Sequence, residues 1–160
     1  LLDENMWNRI KKSHDYIKTI EISIDAATKD TYEKIRRGGN WERLIKNLNF
    51  ISSIETISSK SYSFVVQDTN YKEMKMLYDL INNLPHYRKD KHIVYFGKIL
   101  NWGTYTDDEF LIKQIWGEHH PNFNDFLVEL KKIGIKYNST NNMSDIIEKY
   151  NLIETKTRLI

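Results

Sequence analysis

The chain has 160 residues, enough for about one domain, and its 40% hydrophobic residues can fill a core. Its 24 basic and 22 acidic residues leave a net charge of +2, which argues against a nucleic-acid or membrane partner. There is no cysteine, which excludes disulfides, thiolate metal sites, cysteine nucleophiles and a metal cluster ligated by this chain. No apolar run approaches the roughly 20 residues of a spanning helix, so we expect a soluble, cytoplasmic protein.

Helical and strand patterns alternate along the chain. In order, hydrophobic spacing predicts a helix over residues 4–13, a strand over 20–25, helices over 28–37 and 41–54, a strand over 61–67, a helix over 70–84, a strand over 91–100, and helices over 107–116 and 122–133. Thr28 is the predicted N-cap of the second helix, and a glycine pair at 38–39 is its predicted C-terminal cap. Weak helical character returns at residues 145–150.

Strands that alternate with helices of this length are typical of βαβ units and a parallel sheet. Three strands make a small sheet with two open edges. The pattern therefore predicts an α/β fold, a segment of a partial (β/α) barrel with a three-stranded parallel sheet and flanking helices, rather than a complete domain. We expect one unit over residues 1–136, followed by a C-terminal helical tail over residues 137–160.

The first predicted strand carries the most informative pattern. One of its faces consists of three isoleucines, whereas the other consists of Glu21, Ser23 and Asp25. Parallel strands are normally buried on both faces, and burying an unpaired carboxylate is costly. The polar face is therefore either exposed to water in an open sheet or part of a ligand site. Ser23 and Asp25 lie at the carboxyl end of the strand, where α/β folds bind ligands.

Polar residues also follow the other two strands. Gln67 and Asn70 come after the second strand, and Asn101 and Trp102 come after the third. Three of them have simpler structural interpretations: Asn70 as a helix N-cap in a capping box, Asn101 as a turn residue, and Trp102 as an apolar lid on a helix. Taken singly, these structural roles are favoured over ligand binding.

Two further groups of charged residues suggest binding chemistry. Arg36 and Arg37 end a predicted helix, where the helix dipole stabilises cations and where a guanidinium can also bind a carboxylate or phosphate. Glu118, His119 and His120 suggest a metal site, but adjacent histidines point in different directions and no third ligand has suitable spacing. We therefore expect no metal site here.

Three segments have a distinctive sequence: ISIDAAT at residues 22–28, TYEKIRRGG at 31–39 and WERLIKNL at 41–48. Shorter ones are VVQ at 65–67 followed by Asn70 and Glu73, NWGT at 101–104, and the His120-Pro121 pair. Together they resemble the middle of the radical S-adenosylmethionine (SAM) enzymes, in particular the group that often carries a SPASM or twitch extension. These segments lie in the family's order over roughly residues 1–130.

The resemblance implies the C-terminal half of a partial (β/α)₆ barrel, with the family's fourth to sixth strands. In that family a [4Fe–4S] cluster on a three-cysteine loop cleaves SAM to a 5′-deoxyadenosyl radical, which abstracts hydrogen from the substrate. The resemblance assigns SAM contacts to Ser23, Asp25, Arg36, Arg37, Gln67 and Asn70. Among these, Arg36 corresponds to the ligand of the methionine carboxylate, with Arg37 second. It places Asn101 and Trp102 near the substrate.

This chain lacks the cysteine loop, the first three strands and the SPASM cysteines of that family. The resemblance therefore implies that SAM and the [4Fe–4S] cluster are cofactors of a full-length protein, that this chain ligates no cluster, and that it is inactive alone. Its expected partners are the missing N-terminal half of the barrel and, through the exposed first strand, a second copy. The alternative is a non-catalytic half-barrel that binds a partner or a nucleotide. Nucleic-acid binding ranks last because the charge is balanced.

Overall fold

The computed structural model describes residues 2–133, 142–150 and 152. The strands in these ranges are β1 Thr19–Ser23, β2 Ser59–Val66 and β3 His92–Lys98. The α-helices in them are α1 Glu4–Arg9, α2 Lys29–Ile35, α3 Trp41–Ser53, α4 Met74–Asn82, α5 Asp107–Lys113, α6 Phe123–Lys132 and α7 Ser144–Lys149. Two 3₁₀ turns, Lys11–Tyr16 and Tyr71–Glu73, precede β1 and α4 respectively.

The three strands form one parallel sheet in the order β1-β2-β3. Ile22 of β1 lies opposite Tyr62 of β2, and Lys60 of β2 lies opposite His92 of β3. This arrangement confirms the predicted α/β fold with a three-stranded parallel sheet and flanking helices. Closure of the sheet into a barrel with further strands stays a prediction.

One face of the sheet forms the core. Alternate residues of β2 are buried, among them Tyr62 and Phe64. Apolar side chains of α3, α4 and α6 pack on this face, and Leu48, Leu77 and Phe126 are their fully buried representatives. The core is therefore a single layer of helices against a single sheet, the minimum that removes one sheet face from water.

The part of the opposite sheet face formed by β1 and the first half of β2 is polar and accessible, whereas β3 contributes half-buried Ile93 and Tyr95 to this face. Glu21 and Ser23 of β1 are exposed, and Ser61 and Ser63 of β2 are half-buried beside them. Parallel sheets are normally covered on both faces, so this open face is unusual. Glu21 and Ser23 thus have a solvent exposure that both interpretations of the polar face allow. Asp25 does not share it, because this residue lies beyond the strand and is buried.

Three predicted boundaries were wrong for identifiable reasons. The helix predicted over 4–13 ends at Arg9, because the next turn brings His14 back to stack on Trp7 and to bond the Trp7 carbonyl. The helix predicted over 107–116 ends at Lys113, where ring nitrogens of two histidines bond its last carbonyl groups. The strand predicted to reach residue 25 ends at Ser23, since Asp25 turns toward β2.

Residues of the predicted tail join the main core where the structure describes them. Ile146 and Ile147 of α7 are buried in the same cluster as the sheet, and Asn142 Oδ1 accepts a hydrogen bond from the Lys98 N–H at 2.6 Å. The rest of the predicted tail, residues 137–141, 151 and 153–160, lies outside the described residues. Within the described ranges, none of the helices is both long and apolar enough to cross a membrane.

Candidate functional site

The candidate site lies at the carboxyl ends of β1 and β2, where two charged side chains meet. Asp25 follows β1, and Arg36 follows the last turn of α2. A terminal N–H of Arg36 donates to Asp25 Oδ2, and the Val65 backbone N–H donates to Asp25 Oδ1 at 2.7 Å. The Asp25 carboxylate thereby links the end of β1 to both β2 and α2.

Asp25 combines an uncommon backbone conformation with deep burial. Its φ is +61°, in the left-handed region that aspartate tolerates better than most other residues, and the residue is 6% exposed. Burial raises the pKa of its carboxyl, while the hydrogen bond from Val65 and the charge of Arg36 act in the opposite direction. A strained backbone and a buried carboxyl paired with a cation are features that cluster at binding and catalytic sites.

Asn70 lies beside Asp25 and holds the two strand ends together. It is 1% exposed. Its Nδ2 donates to the carbonyl oxygens of Asp25 and Val65, and its Oδ1 accepts from the Gln67 N–H, all at 2.9 Å. The N-cap interpretation of Asn70 is wrong, because its side chain makes no capping bond to the 3₁₀ turn that follows. Since both amide hydrogens are engaged, this geometry favours a positioning role over a ligand contact.

Glu73 holds part of this site in place and was not assigned from the sequence, and neither were Lys34 and Lys113 of the cleft wall. Its carboxylate accepts from the Ala27 N–H at 2.6 Å, from the Thr28 N–H at 3.1 Å and from the Thr28 hydroxyl at 2.8 Å. It also accepts from the Thr31 hydroxyl. Glu73 thus accepts hydrogen bonds from donors just before and within the first turn of α2 that have no partner inside the helix. It lies 45 residues after Thr28 in the chain. No local pattern carries that signal, although Thr28 is the N-cap that was predicted.

The turn after α2 depends on two glycines. Gly38 has a φ of +77°, which glycine adopts without strain. A Cβ atom on Gly39 would lie 2.7 Å from the Arg36 carbonyl oxygen and 2.8 Å from Cε1 of Tyr32, closer than real Cβ contacts allow. The chain therefore folds tightly back over the end of α2. This close turn sets the position of Arg36 and Arg37.

A cleft of about 980 Å³ opens beside the Asp25–Arg36 pair. Of the predicted site residues, the structure brings four to its wall: Ser23, Arg36, Arg37 and Gln67. The wall contains four cations, Lys34, Arg36, Arg37 and Lys113, and one carboxylate, Glu109. Glu109 is already occupied by the Thr106 N–H and hydroxyl, which it bonds as the cap of α5. The cleft therefore has the charge and the donors to hold an anionic group.

Arg36 keeps hydrogen-bonding capacity for such a group. A guanidinium has five N–H donors in a planar fork, and Asp25 engages one terminal nitrogen of Arg36. The Nε of Arg36 is buried and has no hydrogen-bond partner, while 39% of the side chain is exposed. Asp25 thus fixes the orientation of a cation that can still bind a carboxylate or phosphate.

In the loop after β3, the structural role predicted for Asn101 is confirmed, whereas the role predicted for Trp102 is not. Asn101 Oδ1 accepts from the N–H groups of Gly103 and Tyr105, and its Nδ2 donates to the Tyr105 carbonyl, so its interpretation as a turn residue is confirmed. This bonding shapes the part of the loop that lines the cleft. Trp102 is 85% exposed, so the prediction of an apolar lid is wrong. It is also not among the residues lining the cleft.

The histidine pair has structural roles. His120 is buried; its Nε2 bonds the Ile112 carbonyl, and its Nδ1 accepts from the Asn122 N–H, both at 3.1 Å. His119 Nε2 bonds the Leu111 carbonyl at 3.4 Å. No three His, Asp or Glu side chains in the described ranges are grouped as metal ligands, and the sequence has no cysteine. The chain's residues therefore do not fit an iron–sulfur cluster.

No protein-family model, curated protein or solved structure matches this chain. What can be said of its function rests on the geometry of the cleft and on the residue patterns themselves.

Proposed function

We propose that this chain is the C-terminal part of a radical SAM core and that its cleft binds the amino-acid end of SAM. The observation that carries the proposal is the Arg36 guanidinium, oriented by Asp25 at the wall of a cationic cleft while 39% of its side chain is exposed. The cleft lies at the carboxyl ends of parallel strands, where α/β folds bind ligands. The resemblance of residues 22–48 to the radical SAM family supports the same ligand.

Different side chains of the cleft bind different parts of SAM. Arg36 and Arg37 bind the methionine carboxylate. Arg36 is the residue that contacts Asp25, Arg37 is its neighbour in the sequence, and both line the cleft. Ser23 and Gln67 offer a hydroxyl and an amide to the polar parts of SAM. Asp25 orients Arg36, since both of its oxygens are engaged within the protein.

The [4Fe–4S] cluster of that family does not fit the residues of this chain. When bound, such a cluster supplies the electron that cleaves SAM to a 5′-deoxyadenosyl radical. Its ligands must belong to another segment or chain, because cysteine is absent here. The part assigned to this chain is to bind and orient SAM.

Isothermal titration calorimetry of the chain with SAM and with 5′-methylthioadenosine tests the proposal. Methylthioadenosine keeps the nucleoside but lacks the amino-acid end. Arg36→Gln removes the guanidinium, and we expect it to lower the affinity for SAM at least tenfold, as the loss of a charge-assisted hydrogen bond does. Methylthioadenosine is expected to bind the wild type and the variant equally.

Arg43→Gln is the matched control, because Arg43 is an exposed arginine whose partner is Asp3, outside the cleft. This control should bind SAM like the wild type. The proposal is refuted if the Arg36 variant loses affinity for SAM and for methylthioadenosine to the same extent, or if the wild type does not bind SAM.

A second candidate function is a non-catalytic module that binds a nucleotide. The observation that favours it is the charge of the cleft wall: besides Arg36, which pairs with Asp25, it contains Lys34, Arg37 and Lys113 against the one carboxylate of Glu109, an excess that suits a polyphosphate better than a zwitterion. Competition between ATP and SAM separates the two functions. If ATP binds more tightly and displaces SAM, the module is supported, and the converse supports SAM.

A further inference from the structure

A second cluster of basic side chains lies at the amino ends of β2 and β3, at the opposite end of the strands from the Arg36 cleft. Lys60 and His92 are cross-strand partners in the β2–β3 register, so both side chains leave the same, core-facing side of the sheet. They line a cavity of about 330 Å³. The other lining residues are Ser52, Glu55, His86, Tyr87, Arg88 and Lys91.

Lys60 is buried without a counter-charge. It is 1% exposed, and its Nζ has one long hydrogen bond, at 3.4 Å, to the Ser52 carbonyl oxygen. No carboxylate pairs with it among the ion pairs of the described residues. A buried ammonium that lacks an anionic partner is strongly unfavourable, and an unbranched apolar side chain would fill the same space without that cost. Burial and the nearby charges of Lys91 and Arg88 lower the pKa of Lys60, while Glu55 acts weakly in the opposite direction.

His92 adds an unpartnered donor to the same cavity. Its Nδ1 bonds the buried Tyr62 hydroxyl at 3.1 Å, and its Nε2 is buried with no partner. In the tautomer in which Tyr62 donates to Nδ1, the ring hydrogen is on Nε2. The ring is also held by Tyr87, whose centroid lies 5.3 Å away in an edge-on contact. His92 therefore presents a rigidly held N–H group that nothing accepts.

The other cations of the cavity are only partly compensated. Arg88 pairs with Asp90 through two hydrogen bonds, at 2.9 and 3.2 Å. Lys91 Nζ bonds the neutral Glu55 carbonyl at 3.2 Å. Glu55 supplies the one carboxylate among the lining residues. Lys60 and Lys91 thus leave a local excess of positive charge around a half-open cavity of small-molecule size.

We propose that this cavity is a binding site for a phosphate-type oxyanion, with the Lys60 ammonium and the His92 Nε2–H group as its buried donors. A tetrahedral anion accepts several hydrogen bonds at once and supplies the counter-charge that Lys60 lacks. Lys91 closes the site from the solvent side as a third cation. The site is separate from the Arg36 cleft, with which it shares no lining residue.

Titration with inorganic phosphate tests this site, with sodium chloride at equal ionic strength as the screening control. Two readouts apply to the wild-type chain: the melting temperature, and the NMR shift of the His92 ring. We expect phosphate but not chloride to raise the melting temperature and to move the His92 resonance. Glycerol 3-phosphate in place of inorganic phosphate shows whether a monoester or the free ion is preferred, and tighter binding of either supports the site.

Three variants locate the binding. Lys60→Met keeps the length of the side chain without its charge and should lower the affinity for phosphate at least tenfold. Lys75→Met, at an exposed lysine on α4, should bind phosphate like the wild type, whereas Arg36→Gln removes any phosphate bound in the other cleft and should leave the response of the His92 resonance intact. If Lys60→Met does not fold, the His92 resonance of the wild type decides alone. The proposal is overturned if phosphate acts no differently from chloride, if the His92 resonance stays still, or if Arg36→Gln rather than Lys60→Met abolishes binding.

Discussion

Removing the Glu73 carboxylate should destabilise the chain far more than its half-exposed position suggests. In Glu73→Ala the N–H groups of Ala27 and Thr28 and the hydroxyls of Thr28 and Thr31 lose their acceptor. A hydrogen bond to a charged group contributes about 1.5–3 kcal/mol, and the hydroxyls can turn to other partners. Counting the two backbone donors alone, we expect a loss of about 3–6 kcal/mol in the free energy of unfolding.

Glu73→Gln separates charge from geometry. Its amide oxygen can still accept from the two backbone N–H groups that share Oε2, so we expect a loss of only about 1 kcal/mol. Glu42→Ala is the matched control, because Glu42 forms an exposed ion pair with Lys29 and exposed ion pairs contribute little to stability.

Urea unfolding followed by circular dichroism measures all three variants against the wild type. The assigned role of Glu73 is refuted if Glu73→Ala costs no more than Glu42→Ala. It is also refuted if the glutamine variant is as unstable as the alanine variant, since the interactions would then depend on charge and not on the shared acceptor.

The remaining predictions concern backbone strain and pH. Gly39→Ala should destabilise the chain more than Gly38→Ala, because a Cβ at Gly39 meets the carbonyl of Arg36 whereas Gly38 has open space and incurs only the penalty of its positive φ, about 1 kcal/mol. Equal melting temperatures for these two variants would contradict the close turn. Burial and the neighbouring Lys60 lower the pKa of His92 to about 4, so the unfolded chain, with a pKa of about 6.5, binds more protons between these values. The contribution of His92 to stability is therefore complete above pH 6.5 and is lost as the pH falls to 4. Urea unfolding in phosphate-free buffers should show a shallower pH dependence in His92→Gln than in the wild type, and an unchanged slope would show that His92 is protonated in the folded chain.

The alternation of strands and helices was readable from the sequence because hydrophobic period and capping residues act locally. Thr28 is the clearest case, since its role as N-cap depends on Thr31, three residues away. The open polar face of β1 was also readable, because it follows from the period of two in residues 20–24.

The internal bonding of the site was not readable in this way. Asn70 and Glu73 have the spacing of a capping box, and that local signal predicted the wrong partners for both. Their hydrogen bonds join Asp25 and Thr28 across 45 residues, which no pattern within one element encodes. The burial of Lys60 without a carboxylate partner was missed for a related reason. It results from the helix that covers β2, and the alternating pattern of apolar residues in the strand is the same whether or not Lys60 is included.

The contact between Glu73 and the start of α2 also constrains the order in which the chain folds. Closing a loop of 45 residues costs about 3 kcal/mol of chain entropy before any contact forms. A helix of seven residues is marginal in isolation, so α2 gains its anchoring only when the turn after β2 is in place. During synthesis on the ribosome, residues 25–39 must therefore wait for residue 73 to emerge. The segment that carries Arg36 then becomes ordered only after the β1–β2 pair, although it precedes β2 in the chain.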